Sequence, residues 1–329
     1  MFFIYLFFFL PFSLIANPFL IDVPSKECLT EEDYIDIQKK LQSLDIGKHL
    51  DEWYPKTPLN KSLWPWSSSL ATKEDFKNRI SKASLQILIN PAEGKFPIKE
   101  LKKINQGGGN CIVCYISFNG KYEDLLKELS QKLEKVGFNG YLFYMIGGFP
   151  NPTGKEIQYS GVPYCFKIFT LLEAQKLGFH KVLWIDAAFL PLKDPTPLFD
   201  WISKTGCFFK MHEPFKKYIL PKTQEYLEKT TGVDVLKSRY VSAQIIGFDL
   251  NTKLAQEFIS EYYKLVELGW PFFSCFPEEY VFSSITGKNP EKWPAQPFKD
   301  LSFAEIKLGS RKSTAWVESQ GYFFLQTLH

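Results

Sequence analysis

Apolar positions recur at helical spacing from Tyr34 through Ile37 and Leu41 to Leu44, behind Thr30-Glu31-Glu32-Asp33, an order that resembles a capping box, and ahead of Gly47 as a stop. A second helix is expected from Lys73 to Ile89, opening on Thr72. Between the two, Trp53-Tyr54-Pro55 and Leu63-Trp64-Pro65-Trp66 read as a loop with aromatic anchors. The pattern changes near residue 106, where Gln106-Gly107-Gly108-Gly109-Asn110 reads as a linker. Cys111–Phe118 is then short, apolar and β-rich. Tyr122–Val136 follows with Leu125, Leu129, Leu133 and Val136 along one face and Gly137 as its end. Tyr141–Ile146 is the next strand, Gly147–Pro152 a loop, Pro163–Leu177 a helix, and Lys181–Asp186 a buried strand that ends on a carboxylate.

Alternating strands and helices with short returns predict an α/β layer with parallel strands. The second half is less regular. Strands are expected at Thr205–Met211 and Tyr240–Leu250 and helices at Thr252–Glu267 and Glu278–Ile285, which predicts a mixed sheet that loses its parallel order. The expected division is a leader over 1–16, a helical arm over 17–106 and the α/β domain over 107–329.

Composition narrows the function classes. With 329 residues the chain can bury a sizeable core, and 39 Lys+Arg against 36 Asp+Glu leaves +3, which gives no electrostatic footprint for nucleic acid. Met1–Ile21 carries no charged side chain, and Phe2–Leu10 is continuously apolar before Pro11. This predicts an export leader cut after Ala16, with the alternatives of an uncleaved N-terminal anchor that would associate the chain with a membrane or a buried apolar N-terminus. Exported, the protein would be periplasmic, lumenal or secreted. Cys111 and Cys114 form C-x-x-C inside a strand, where an offset of three points the side chains to opposite faces, so plain core thiols are expected.

In an open α/β sheet ligands sit at the carboxyl ends of the strands. Asp186, ending an apolar strand and followed by small Ala187 and Ala188, is therefore the leading candidate: it can hydrogen-bond a ribose or sugar hydroxyl or hold a metal that neutralises a diphosphate. Lys167, near a helix start, is a candidate phosphate partner. Glu278 and Glu279 open a later helix, where the helix dipole favours acids, and Gln244 and Gly247 lie in the strand expected at Tyr240–Leu250. His212-Glu213 follows a strand, whereas His49, His180 and His329 are expected at the periphery. No G-x-S-x-G, P-loop or H-E-x-x-H pattern is present.

The run Phe166-Lys167, Leu177-Gly178, Lys181–Ala188 and Asp194-Pro195-Thr196-Pro197-Leu198-Phe199, with Ser242–Asp249 and Pro277-Glu278-Glu279-Tyr280, resembles nucleotide-sugar glycosyltransferases of the GT-A fold over about Asn110 to Ile285. The resemblance implies a GT-A-like, Rossmann-like mixed central sheet flanked by helices. It implies transfer of a hexosyl-type sugar from a nucleotide-diphosphate donor to a hydroxyl on a glycan, lipid or protein, with Glu279 preferred over Glu278 as the general base and Gln244 and Gly247 lining the donor-sugar floor. Asp186 matches the first acid of the family's D-x-D and Ala188 stands at the second, which puts a divalent cofactor, Mn²⁺ or Mg²⁺ held through Asp186, in doubt. The alternative is a catalytically silent exported relative that binds carbohydrate or protein.

Overall fold

The structure is a computed structural model that describes residues 17–23, 25–54, 72–84, 87–118, 122–213, 219–294, 303–307 and 314–328. The leader, Leu63–Trp66 and His329 lie outside the described residues.

The capping box forms: Thr30 accepts from the Asp33 N–H, and the Asp33 carboxylate takes the Thr30 N–H, at the head of α1 (Glu31–Gln42). Gly47 does not end this helix. The chain turns at Ser43–Asp45, and Gly47 lies inside α2 (Ile46–Trp53), capped by Asp45. α3 (Lys73–Ser84) completes the helical arm. A strand unforeseen in the sequence follows, β1 (Ile98–Ile104), so Gln106–Asn110 is the turn into β2 (Asn110–Ile116) rather than a linker. β1 is an exposed edge strand with apolar residues at Ile98, Leu101 and Ile104, a period of three that hides it from a search for alternation.

The expected β–α order then appears as α4 (Tyr122–Lys135), β3 (Gly140–Ile146), α5 (Phe166–Lys176), β4 (Lys181–Ile185), the short β5 (Phe189–Pro191) and α6 (Thr196–Thr205). β6 (Cys207–His212), α7 (Pro221–Thr231), β7 (Tyr240–Asp249), α8 (Lys253–Leu268) and α9 (Pro277–Gly287) follow. β8 (Phe303–Lys307), α10 (Thr314–Ser319) and β9 (Phe324–Leu328) end the described chain. The main sheet has the order β1-β3-β2-β4-β7-β6. Its centre, β3-β2-β4, is parallel, and β1, β7 and β6 join antiparallel, which is the mixed sheet expected. A second sheet, β5-β9-β8, brings the C-terminal segment beside the carboxyl end of β4.

Helices cover both faces. α4 and α6 bury Leu129, Leu133, Phe199 and Ile202 against one face with Ile112 and Cys114; α5, α8, α9 and the arm pack on the other with Cys111 and Val113. Cys111 and Cys114 thus do point to opposite faces. Both are free thiols, and burial raises their pKa, that of Cys111 to about 12.

Candidate functional site

Three elements place charges at the carboxyl edge of the parallel strands. Asp186 directly follows β4, and its N–H donates to the Gln244 carbonyl of β7 (3.1 Å). Lys167 lies in the first turn of α5 and Glu278 in the first turn of α9. The Lys167 ammonium meets Asp186 Oδ1 at 3.1 Å, Glu278 Oε1 at 3.0 Å and the Ala243 carbonyl at 2.9 Å. An ammonium has three protons, and these three acceptors take them all. Trp184, two residues before Asp186, donates its indole N–H to the same Oδ1 at 3.0 Å.

Asp186 is therefore held by one oxygen. Among the described residues Oδ2 takes no hydrogen bond, and the side chain is 29% exposed, so a fixed carboxylate presents one oxygen outward. Glu278 differs: its side chain is 5% exposed and Oε2 is buried without a partner. Burial raises the Glu278 pKa, and the Lys167 charge only partly offsets this. Burial pushes Lys167 down, but Asp186 and Glu278 together outweigh it and hold the ammonium above the ordinary lysine range.

The helices that deliver Lys167 and Glu278 both start from a left-handed aromatic residue. Tyr164 has φ 58° just before α5, and Phe276, the N-cap of α9, has φ 52°. For a residue with a β-carbon this conformation costs about 1–2 kcal/mol. Asn105, of a type that tolerates it, is the third such non-glycine among the described residues.

Several sequence expectations change. Lys167 binds carboxylates inside the protein, so it has no proton left for a phosphate. Glu278 is the acid that meets Lys167 in the ion cluster; Glu279 beside it is buried too. Gly247 sits mid-sheet opposite Leu183, and a Cβ there would lie 2.3 Å from Ile202 Cδ1: the glycine admits α6, not a sugar. Gln244 does border the cluster, with its amide donating to Gln326 of β9 (2.7 Å). The loop after β3, Gly147–Pro152, is buried under the arm, and Gly148 N–H donates to the Leu88 carbonyl. His212 ends β6 against Tyr240, His180 is exposed, and His49 is packed edge-on to Trp270. Trp184, Glu278 and Gln326 were not foreseen as a set. Glu278 was legible as an acid at a helix start, Trp184 carried a signal because residues two apart along extended chain share a face, and Gln326 carried none.

A divalent ion needs several converging oxygens. Among the described residues no group of three or more His, Cys, Asp or Glu side chains converges, Ala188 supplies no oxygen, and Asp186 Oδ1 and Glu278 Oε1 already share an ammonium. The donor set does not fit such an ion. Asp186 also lines neither of two concavities formed by described residues, one near Phe96 and Phe118 and one beyond the tip of β7.

No family model matches the sequence, and no curated protein matches it by sequence. Solved structures similar to the chain include apo mouse xyloside xylosyltransferase 1, with 10% identity over 66% of this chain and 97% of that one and a TM-score of 0.40. Galactosyltransferase LgtC in complex with donor and acceptor sugar analogues shows 14% identity over 67% of this chain and 87% of that one, with a TM-score of 0.38. The bifunctional glycosyltransferase WbbM, apo, shows 12% identity over 66% of this chain and 45% of that one, with a TM-score of 0.36. Each likeness is one of fold.

Proposed function

We propose that the protein is a glycosyltransferase that moves a sugar from a nucleotide-diphosphate donor to a hydroxyl acceptor. The observation that carries this reading is Asp186: a carboxylate at the carboxyl edge of a parallel β3-β2-β4 core, fixed through Oδ1 by Lys167 and Trp184, with Oδ2 turned outward. Such an oxygen accepts from a ribose or sugar hydroxyl without having to be reoriented on binding. Lys167 serves as the clamp that sets this carboxylate. Glu278 shares the Lys167 ammonium with Asp186 and is the second acid of the cluster, its basicity raised by burial.

A second reading, a silent binding module, is favoured by Ala188 and by the position of both concavities away from Asp186. Thermal-shift measurements with UDP- and GDP-sugars, with and without Mn²⁺, separate the two. A transferase is stabilised by at least one nucleotide sugar, and Asp186→Ala abolishes that shift. No shift with any of them, or an unchanged shift in Asp186→Ala, removes the transferase reading.

A further inference from the structure

The β6–β7 ribbon runs past the end of β4. Ile185 pairs with Ile245, and the ribbon continues to the pair His212–Tyr240. Beyond its tip a groove of about 890 Å³ opens between the α7–β7 connection and the end of α9. Its size is within the usual range for a small-molecule site. Met211, Val233 and Trp293 give it an apolar wall, and Asp234, Arg239 and Glu291 lie among its polar residues.

α9 joins the two regions. It carries Glu278 at its first turn and ends on Gly287 at the groove, about 14 Å away at 1.5 Å per residue. The Val241 N–H donates to Ser283 Oγ at 3.0 Å and ties the helix to β7. A Cβ at Gly287 would lie 2.7 Å from Val233 and 2.8 Å from Ser238, so the helix end closes on the α7–β7 connection because residue 287 has no side chain.

The groove's chemistry is mixed. Neither Arg239 nor Glu291 is engaged by another side chain among the described residues. Donors and acceptors thus stand together beside an apolar wall. Of the charged residues that line it, Asp234 is paired with Lys237 (2.7 Å) and Lys288 with Glu261, which leaves Arg239 and Glu291, one charge of each sign, to favour a neutral guest and oppose a wholly apolar one. Hydroxyl groups, which both donate and accept, fit this mixture, and the C–H face of a pyranose fits the wall.

We propose that this groove binds a neutral sugar unit of an oligosaccharide acceptor, remote from the reacting end. The assignment of that sugar to an acceptor rests on the transferase reading; the binding site does not. Isothermal titration of the full chain with maltopentaose, cellopentaose, xylopentaose, mannopentaose and chitopentaose tests it. At least one pentaose binds at millimolar concentration or below, and Arg239→Ala and Glu291→Ala each weaken binding about tenfold, the loss expected for one charge-assisted hydrogen bond. Both side chains are exposed, and circular dichroism checks that the variants stay folded. Binding of none of the five, or binding untouched by both substitutions, overturns the proposal. A pentaose that binds while no nucleotide sugar shifts the melting temperature leaves the groove standing and removes the transferase. The converse result does the opposite.

Discussion

Two buried assemblies on the same face of the sheet are built on opposite principles. Where the arm docks, Trp53 stacks on Trp270 with centroids 4.2 Å apart and planes 4° apart, Phe273 meets Trp270 edge-on at 5.7 Å, and Phe19 stacks on Phe273 at 5.3 Å. Those rings bury large apolar area in favourable geometries. Around Asp186, two helices begin from left-handed aromatic residues and bring two carboxylates to one buried ammonium, leaving Glu278 Oε2 with no partner. Burying ions costs more than burying rings, and their mutual attraction often only balances that cost. The dock too leaves buried polar atoms without partners, Trp270 Nε1 and His49 Nδ1, but only the cluster adds buried charges beside left-handed aromatic residues, which is where a functional constraint is expected to override local rules.

The largest effect that tests this contrast is at Lys167. Lys167→Met leaves two carboxylates without their shared cation and is expected to cost about 3–5 kcal/mol in urea denaturation, with loss of any nucleotide-sugar shift. Lys167→Met combined with Asp186→Asn and Glu278→Gln removes every charge and should recover much of that stability without restoring binding. Failure of the triple variant to recover would mean that the cluster is a net stabiliser like the dock, and the contrast would fall.

Trp53→Ala probes the other assembly. Trp53 is 7% exposed, and truncating such a ring costs about 3–5 kcal/mol at most. Here the expected outcome is a lower melting temperature with the nucleotide-sugar shift retained above it. If that shift disappears as well, the arm belongs to the site and the two regions are not separate.

Much of the fold is legible because its signals are local. Thr30 and Asp33 cap α1 as their spacing says, Lys181–Asp186 forms the buried strand with its terminal acid, and the offset of Cys111 from Cys114 sends them to opposite faces. What escapes is set by distant partners. The exposed edge strand β1 has no buried face to pattern its residues, so Ile98-Lys99-Glu100-Leu101 carries no alternation. A glycine in a strand signals close approach, but nothing near Gly247 says that Ile202 rather than a ligand approaches it. The choice between Glu278 and Glu279 depends on how α9 is rotated against α5, and Gln244 meets Gln326 across 82 positions. Asp186 was legible as a residue; its clamp was not.

The finest test is the pH dependence of stability. Burial raises the Glu278 pKa above the ordinary 4.5, so the folded chain holds this proton more tightly than the unfolded chain does. As pH rises through 4.5 the unfolded chain releases its proton first, and the fold loses stability until the raised value is passed, by about 1.4 kcal/mol for each pK unit of elevation. Lys167 has the same sign in another window: its folded pKa is above the ordinary 10.5, so its contribution is complete below 10.5 and lost only at higher pH. Between 4.5 and neutrality the difference in unfolding free energy between wild type and Glu278→Gln should therefore shift against wild type, while Trp53→Ala keeps the wild-type slope. Parallel curves for wild type and Glu278→Gln would mean that burial does not hold the Glu278 carboxyl above its ordinary range, and the cluster would no longer be set apart from the dock by the cost of its buried charges.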